Sequence, residues 1–253
     1  MKKLLELKSI SAGYGNKIVL SDVNLAVCEN DFIGIIGPNG GGKTTLLKVI
    51  LRLIDPFKGS ISFYDRALQG NKKAIGYLPQ FKIIDRLFPI TVRDTVYSGL
   101  MREKKLFRNF SKTEKERGNA LIDRFGLSHL INKTLGELSG GQMQRVFLCR
   151  ALVSSPEILI LDEPDTFVDM SFAETLYEIL RELNKNMAIL LVSHNVGPLI
   201  TSLTSVACVN ETLHYHTSEE FSHELFENAG CPLHIVEHGE IPHTILKKHE
   251  TRT

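Results

Sequence analysis

The chain has 253 residues, of which 43 % are hydrophobic and 23 % are charged, and its net charge is +1 at pH 7. These values are typical of a globular protein, and the length suits one large domain or two small ones. A net charge near zero gives no general attraction to nucleic acid or to an anionic membrane surface. No apolar run approaches the roughly 20 residues that span a bilayer, and the N-terminus lacks the apolar core of a signal peptide.

The cysteines are scattered along the chain at Cys28, Cys149, Cys208 and Cys231, and no two of them form a C-x-x-C pair. This usage is typical of reduced, mostly buried thiols in the cytosol. We therefore expect free thiols rather than disulfides.

Short runs that alternate apolar and polar positions predict antiparallel strands between residues 4 and 36. One of the turns in this stretch contains Tyr14, between Gly13 and Gly15. An aromatic side chain there is commonly a plain turn residue, but it can also stack on a nucleotide base. Both interpretations stay open on these residues alone.

Residues 37–44, GPNGGGKT, match the phosphate-loop pattern G-x-x-x-x-G-K-[ST]. The apolar run before them predicts a buried strand, and residues 45–50 after them predict a helix. Glycines let successive backbone N–H groups point inward, at a helix N-terminus that favours anions. Lys43 would reach the outer phosphates, and the Thr44 hydroxyl would be a ligand for Mg²⁺. The stretch therefore predicts a nucleotide site.

The middle of the chain changes in pattern. Residues 61–64 and 75–78 predict strands, and Gln80 follows the second of them. Between Thr91 and Leu135 the strand patterns stop, and residues 113–116 predict a capping box before a helix. We expect a helical insert in an otherwise α/β chain.

A continuous apolar run at residues 158–161 predicts a central parallel strand, and it ends in Asp162 and Glu163. In a phosphate-loop NTPase, a carboxylate at such a strand end holds Mg²⁺ through water. Glu163 would then be placed to polarise the water that attacks the terminal phosphate. Gln80 and His194 are further candidates, although either residue alone is more often an ordinary polar group.

A helix at residues 172–183 and a strand at 188–192 continue the alternation, which implies a parallel sheet with right-handed crossovers. Leu138-Ser139-Gly140-Gly141-Gln142 opens a further helix and would form a second anion-binding cup. One nucleotide needs only one such cup, so the second requires an explanation.

These motifs, in this order, resemble the ATP-binding subunit of an ABC transporter over almost the full length, and LSGGQ at 138–142 is close to diagnostic. The resemblance implies an α/β P-loop NTPase core with a parallel sheet, an N-terminal antiparallel β subdomain and a helical insert at about 86–155. Residues 1–253 would form a single ABC ATP-binding domain. It also implies a head-to-tail homodimer in which each signature cup caps the nucleotide held by the partner, with ATP and Mg²⁺ as cofactors.

The resemblance assigns roles to individual residues. Those that bind the nucleotide are Tyr14 (stacking on the base), Gly37, Pro38, Asn39, Gly40, Gly41, Gly42, Lys43, Thr44, Thr45, Ser139, Gly140, Gly141 and Gln142. The catalytic residues are Lys43, Gln80, Glu163 and the switch histidine His194, with Asp169 as the D-loop acid. The residues that hold Mg²⁺ are Thr44, Gln80 and Asp162.

Two positions depart from the family pattern. Gly41 stands where the family usually has Ser, which removes a hydroxyl contact but no backbone N–H. The bulky Phe167 lies in a run that is usually made of small residues, so communication between two ATP sites would be altered.

Seven of the nine histidines follow residue 210. The C-terminal stretch at about 210–253, including Cys231, His234, His238 and His243, resembles tails of the zinc, manganese and iron uptake branch. His and Cys are suitable zinc ligands, but no two of them have a standard finger spacing. We expect solvated or packed imidazoles, and direct metal sensing stays an alternative.

The function implied is an ATPase subunit that powers uptake of a transition metal, zinc or manganese, from the cytoplasmic face of the cell (inner) membrane. Its partners would be membrane permease subunits and, through them, an external metal-binding protein, but no nucleic acid. The alternative is a soluble ABC-type ATPase that acts on nucleic acid or ribosomes. Such proteins usually carry two tandem cassettes, whereas this chain has one phosphate loop and one signature. A kinase that uses the same loop has no need of LSGGQ.

Overall fold

The structure is a computed structural model that describes residues 2–64, 75–80, 88–101, 109–164, 170–193, 197–218, 233–236 and 243–246. The chain divides into two units, Met1–Tyr64 with Tyr177–Thr253, and Asp65–Leu176. The strands are β1 (Lys3–Tyr14), β2 (Lys17–Cys28), β3 (Phe32–Ile36), β4 (Lys58–Phe63), β5 (Ile75–Leu78), β6 (Ile158–Asp162), β7 (Ala188–Val192), β8 (Ser205–Asn210), β9 (Thr212–Thr217), β10 (Leu233–Val236) and β11 (His243–Leu246). The helices are α1 (Lys43–Ile50), α2 (Val92–Ser98), α3 (Lys112–Arg124), α4 (Gly140–Leu152) and α5 (Met170–Asn184).

The first unit contains the predicted N-terminal antiparallel sheet, with strand order β2-β1-β4. Inward-facing residues of β1 such as Leu5, Leu7 and Ile10 are fully buried. Leu5 and Leu7 follow the predicted alternation, whereas Ile10 lies beyond a register shift between Leu7 and Ile10.

A second group of strands in the same unit has the order β7-β3-β8-β9. β3 lies parallel to β7 and β8, while β9 is antiparallel to β8. Every residue of β3 and β7 is buried, which is expected for parallel strands covered on both faces. The prediction of antiparallel strands up to residue 36 is therefore wrong for β3, since a fully apolar strand carries no alternation.

The second unit contains the parallel pair β5–β6 and the helices α2, α3 and α4. The predicted helical insert is confirmed in its described part, but its capping box lies two residues earlier than predicted, at Ser111 and Glu114. Ser111 precedes the helix directly and its side chain accepts from the Glu114 N–H, so the earlier serine competes successfully with Thr113. Gly126 has φ +67° just past the end of this helix, a conformation that glycine adopts without strain.

The strands after residue 204 are absent from the sequence prediction. Val206 to Val209 form a buried apolar run in β8, and β9 lies at the edge of its group of strands with mostly exposed side chains. The short pair β10–β11 is antiparallel, with His234 opposite Ile245 and His243 opposite Val236. The longest helix in the described part of the chain, α5, has 15 residues, and none there is long and apolar enough to cross a membrane.

Candidate nucleotide site

The phosphate loop joins β3 to α1, as the sequence predicts. Its backbone has positive φ at Gly37 (146°), Gly40 (83°) and Gly42 (105°), values that residues with a side chain rarely adopt. Gly42 is the N-cap of α1 and provides no side-chain hydrogen bond to the first turn. The N–H groups at the start of α1 are thus not capped by this residue's side chain, which is the arrangement that binds phosphate at a helix N-terminus.

Lys43 is the first residue of α1, and its side chain is buried, with 7 % exposure. Its Nζ donates hydrogen bonds to the carbonyl oxygens of Gly37 at 2.8 Å and Pro38 at 3.0 Å. The ammonium group is therefore held over the loop by the loop's own backbone. An anion bound in the loop would lie close to this ammonium group.

The β8–β9 turn lies against the phosphate loop. A Cβ on Gly37 would be 2.0 Å from the carbonyl oxygen of Val209, and one on Gly41 would be 2.7 Å from the same oxygen. The N–H of Glu211 donates to the Gly41 carbonyl at 3.0 Å, and the Glu211 carbonyl accepts from Ser21 N–H of β2 at 2.7 Å. The turn thus connects the loop to the antiparallel sheet.

The presence of glycine rather than serine at position 41 has a steric explanation in this arrangement. Val209 leaves no room for a side chain at Gly41 without a backbone shift. Sequence reasoning did not find Val209 or Glu211, because both contact the loop through backbone atoms, which any residue type provides.

Tyr14 ends β1 and is 46 % exposed. Lys48 of α1 donates to its hydroxyl at 3.1 Å and lies 5.1 Å from the ring centroid. Partial burial would raise the pKa of Tyr14, but hydrogen bonds from Lys48 and Thr45 lower it. The exposed ring is thereby tied to the helix that follows the phosphate loop. Thr45 itself is buried, whereas Thr44 and Asn39 are exposed.

In the second unit, the two acids follow the apolar run of β6 as predicted. Asp162 is 4 % exposed, and Glu163 is partly buried with φ 52°. The Gln80 side chain, two residues beyond β5, donates from Nε2 to Oε2 of Glu163 at 2.5 Å. Gln80 and Glu163 are thus brought together although they are 83 positions apart.

Tyr77 of β5 is a residue that sequence reasoning missed. Its hydroxyl is hydrogen-bonded to the Asp162 carboxylate. Burial, followed by the negative charge of Asp162 and this bond, raises the pKa of Tyr77 to about 12. The phenol is therefore neutral and donates to Asp162. The signal available in the sequence was only a tyrosine one position before the strand ends, because the pairing of β5 with β6 was not predicted.

The signature residues form the start of α4, as predicted. Ser139 is the N-cap, and its Oγ accepts from the Gln142 N–H at 3.2 Å, while Gln142 Oε1 accepts from the Ser139 N–H at 3.0 Å. Ser139 and Gly140 are exposed. In this capping box the serine oxygen acts as acceptor, so its O–H hydrogen can donate outward, beside the helix N-terminus.

Several predicted residues lie outside the described residues, namely Phe167, Asp169, His194, Cys231 and His238. Among the described residues, no group of three or more His, Cys, Asp or Glu side chains is arranged to hold a metal ion.

The prediction of free thiols is confirmed for Cys28 and Cys149 and is wrong for Cys208, which is disulfide-bonded. Burial raises the pKa of the Cys149 thiol. The absence of a C-x-x-C pair did not exclude a disulfide, because the fold can join cysteines that are distant in the sequence.

A glycine loop between a buried parallel strand and a helix N-terminus defines a phosphate-loop nucleotide-binding protein. The sequence profile of the ABC transporter family matches residues 20–166. The zinc uptake system ATP-binding protein ZurA of Listeria monocytogenes is 38 % identical over 236 residues, which cover 89 % of this chain and 90 % of that protein. A probable metal transport system ATP-binding protein of Thermotoga maritima is 35 % identical, covering 86 % of each chain. The chain therefore belongs to the ABC transporter family.

Solved structures support the same fold. A metal-chelate type ABC transporter in an inward-facing conformation superposes with a TM-score of 0.81 at 22 % identity, covering 98 % of both chains. A bacterial ABC transporter cassette that was solved as a dimer gives a TM-score of 0.73 at 25 % identity, covering 85 % of this chain and 99 % of that one. The predicted fold class, an α/β P-loop core with an antiparallel N-terminal sheet and helices, is confirmed.

Proposed function

We propose that this chain is the ATP-hydrolysing subunit of an ABC transporter that takes up a transition metal ion, with zinc as the first candidate and manganese as the second. The observation that carries the proposal is a phosphate loop and an LSGGQ signature in one chain. The relatives named for zinc uptake and metal transport support the choice of cargo and favour a transporter over a soluble ATPase.

Phosphate binding falls to the loop and the start of α1. Residues 39–42 carry backbone N–H groups, whereas Pro38 has none, and Lys43 offers a cation that the carbonyls of the loop already orient. Tyr14, exposed and tied to α1 through Lys48, is the proposed surface on which the base stacks.

The residues assigned to Mg²⁺ fit its chemistry. Asp162, Thr44 and Gln80 offer a carboxylate, a hydroxyl and an amide oxygen, and Mg²⁺ prefers hard oxygen ligands. When bound, Mg²⁺ would neutralise charge on the phosphates.

Hydrolysis needs a group that orients water and accepts its proton, and Glu163 is the proposed base. The Gln80 amide orients this carboxylate. His194 is proposed to contact the terminal phosphate. Lys43 and the α1 N-terminus would stabilise the charge that develops in the transition state.

The second anion cup has a use in a head-to-tail homodimer, where Ser139 to Gln142 of one subunit cap the nucleotide of the other. The similarity to a dimeric cassette supports this arrangement. We further propose that the dimer binds permease subunits at the cytoplasmic face of the cell membrane, that an external metal-binding protein delivers the cargo, and that nucleic acid is not a partner. The exposed Phe88 and Met101 of the second unit are suitable apolar contacts for the permease.

Uptake of radioactive zinc in a host strain that lacks the gene tests the proposal. The wild-type chain should restore uptake in chelator-limited medium, and the Lys43→Ala variant, present at the same level, should reduce it at least tenfold, a loss of about 1.4 kcal/mol of transition-state stabilisation. Because Lys43 is buried, the melting temperature of the purified variant serves as the control for folding. Equal zinc uptake with and without the gene would contradict the proposed cargo, and the same assay with manganese would then decide for the second candidate.

A further inference from the structure

The pairing of β5 with β6 places Tyr77 and Asp162 on the same face of these two strands. The strands are parallel, and Tyr77 lies opposite Ile160. Because side chains alternate between faces with a period of two, Asp162, two residues after Ile160 in β6, lies on the same face as Ile160. A tyrosine side chain is long enough to reach this diagonal neighbour, and the Tyr77 hydroxyl is hydrogen-bonded to the Asp162 carboxylate.

The carboxylate end of this contact is buried. Asp162 is 4 % exposed and Tyr77 is partly buried. A hydrogen bond to a charged group contributes more than one between neutral groups. A donor on one carboxylate oxygen also restricts rotation of the whole group, so the remaining lone pairs keep a constant direction.

We propose that Tyr77 is a positioning residue that orients Asp162 for the Mg²⁺ of the nucleotide complex. This inference rests on the proposed function, in which Asp162 holds that ion. Groups that hydrogen-bond to metal ligands orient them, and their loss costs about 10- to 100-fold in metal affinity or activity. Gln80, which follows the same strand, donates a corresponding hydrogen bond to Glu163. The region at the end of β5 thus supplies one hydrogen-bond donor to Asp162, the last residue of β6, and one to Glu163, which follows it.

The Tyr77→Phe variant tests the role of the hydroxyl while the ring stays in place. Its matched control is Tyr97→Phe in the same unit, because Tyr97 is a 6 % exposed tyrosine whose hydroxyl contacts Asn119 Oδ1 at 2.9 Å and the Lys115 carbonyl at 3.3 Å, with no acid of β6 involved. Each variant loses a single hydroxyl group. Only the first should change metal binding.

Two measurements apply to each variant. The first is titration of the complex with a non-hydrolysable ATP analogue by Mn²⁺, followed by electron paramagnetic resonance, which reads metal binding without turnover. The second is the Mg²⁺ concentration that gives half-maximal ATPase activity. We expect Tyr77→Phe to raise both the Mn²⁺ dissociation constant and the half-saturating Mg²⁺ about tenfold, at the lower end of the usual range because the ion is held through water. Binding of the analogue without metal should be unchanged.

An Asp162→Asn background provides a further test, since Tyr77→Phe should have little additional effect once the carboxylate is gone. Mn²⁺ binding by Tyr77→Phe that equals wild type, or an equal shift in Tyr97→Phe, would overturn the positioning role. If the wild-type chain itself binds no Mn²⁺ with the ATP analogue and hydrolyses no ATP, the proposed function fails instead, so the two failures are distinguishable.

Discussion

The Gln80 side chain donates a hydrogen bond to the Glu163 carboxylate, and both residues lie just beyond the ends of paired parallel strands. The bond ties the position of the proposed base to the segment that follows β5. Any movement of that segment must move the Glu163 side chain or break the bond. Under the proposed function, this bond links the segment around Gln80 directly to the proposed base.

The first prediction concerns this bond. Gln80→Asn keeps the amide but shortens the side chain by one methylene, so the donor no longer reaches Glu163. We expect kcat for ATP hydrolysis to fall about tenfold while KM for ATP changes little, because orientation of the base matters in the transition state. Steady-state kinetics at saturating Mg²⁺ measures both values. A kcat within twofold of wild type would show that Glu163 does not depend on Gln80.

The second prediction concerns the backbone of Glu163. Its φ of 52° is in the left-handed region, which costs about 1–3 kcal/mol for a residue with a side chain. Glu163→Gly and Glu163→Ala both remove the carboxylate, but only glycine removes the strain. We expect the Gly variant to be about 1 kcal/mol more stable than the Ala variant, and both to lose hydrolysis. Parallel thermal unfolding of the two proteins measures the difference, and equal melting temperatures would mean that no strain is stored there.

A third prediction concerns the departure from the family at position 41. Gly41→Ser introduces a Cβ 2.7 Å from the Val209 carbonyl oxygen, so the loop or the β8–β9 turn must shift. We expect a loss of about 1–3 kcal/mol in stability, and a matching loss of ATP affinity. Gly40→Ser separates steric clash from backbone strain, because it adds a side chain at φ 83° while no atom lies within 4 Å of the added Cβ, so it should lose stability through strain alone. Tighter ATP binding by Gly41→Ser would show that the serine fits.

The local elements were predictable because their signals are local. The apolar run before the phosphate loop predicts β3, and Ser139 before a helical run predicts the start of α4. In contrast, β9 alternates threonine and histidine with leucine and tyrosine, so its sequence is compatible with an exposed tail. It is a strand because its backbone forms a ladder of hydrogen bonds with β8. The residue types of β9 do not indicate this pairing.

The contacts within the candidate site were less predictable than its residues. Asp162 and Glu163 follow from the apolar run and the acid pair, but their partners Tyr77 and Gln80 depend on which strand lies beside β6. The backbone carbonyl of Val209 has no sequence signal at all. Motifs therefore predict the proposed metal ligand and the proposed base, whereas their hydrogen-bond partners depend on the pairing of distant strands.

The fourth prediction concerns the C-terminal tail. Truncation after Ser218 keeps β9 and Glu211, whereas truncation after Asn210 removes both. We expect the shorter protein to lose ATP affinity, because the Glu211 N–H that bonds to the Gly41 carbonyl is gone. The longer one should keep its ATPase activity and respond to added zinc as the intact chain does.

Zinc titrations of ATPase activity compare the intact and truncated proteins. Because Cys208 is disulfide-bonded, all samples contain a reductant, so that the redox state of the cysteines is the same in each. A zinc response that disappears on truncation after Ser218 would favour metal sensing by the tail. The histidines placed after this point would then be the ligands to examine.

The last prediction concerns Glu163 and the signature together. Glu163→Gln keeps the size of the side chain and removes the basic carboxylate, so hydrolysis should slow about 10²- to 10⁴-fold. Nucleotide binding should survive, since Lys43 and the loop are unchanged. Because Ser139 to Gln142 are proposed to close on the partner's ATP, uncleaved nucleotide should hold two subunits together. Light scattering during size exclusion should detect a dimer with ATP but not with ADP.

Ser139→Arg in the same background provides the control. The serine is the N-cap of α4, and arginine would remove its hydroxyl and fill the exposed cup. The ATP-dependent dimer should then be lost while each monomer still binds ATP. Normal turnover by Glu163→Gln would contradict its role as the base. A monomer with ATP bound would leave that role intact and argue against head-to-tail closure without the permease, because the slow step and the closing step depend on different residues.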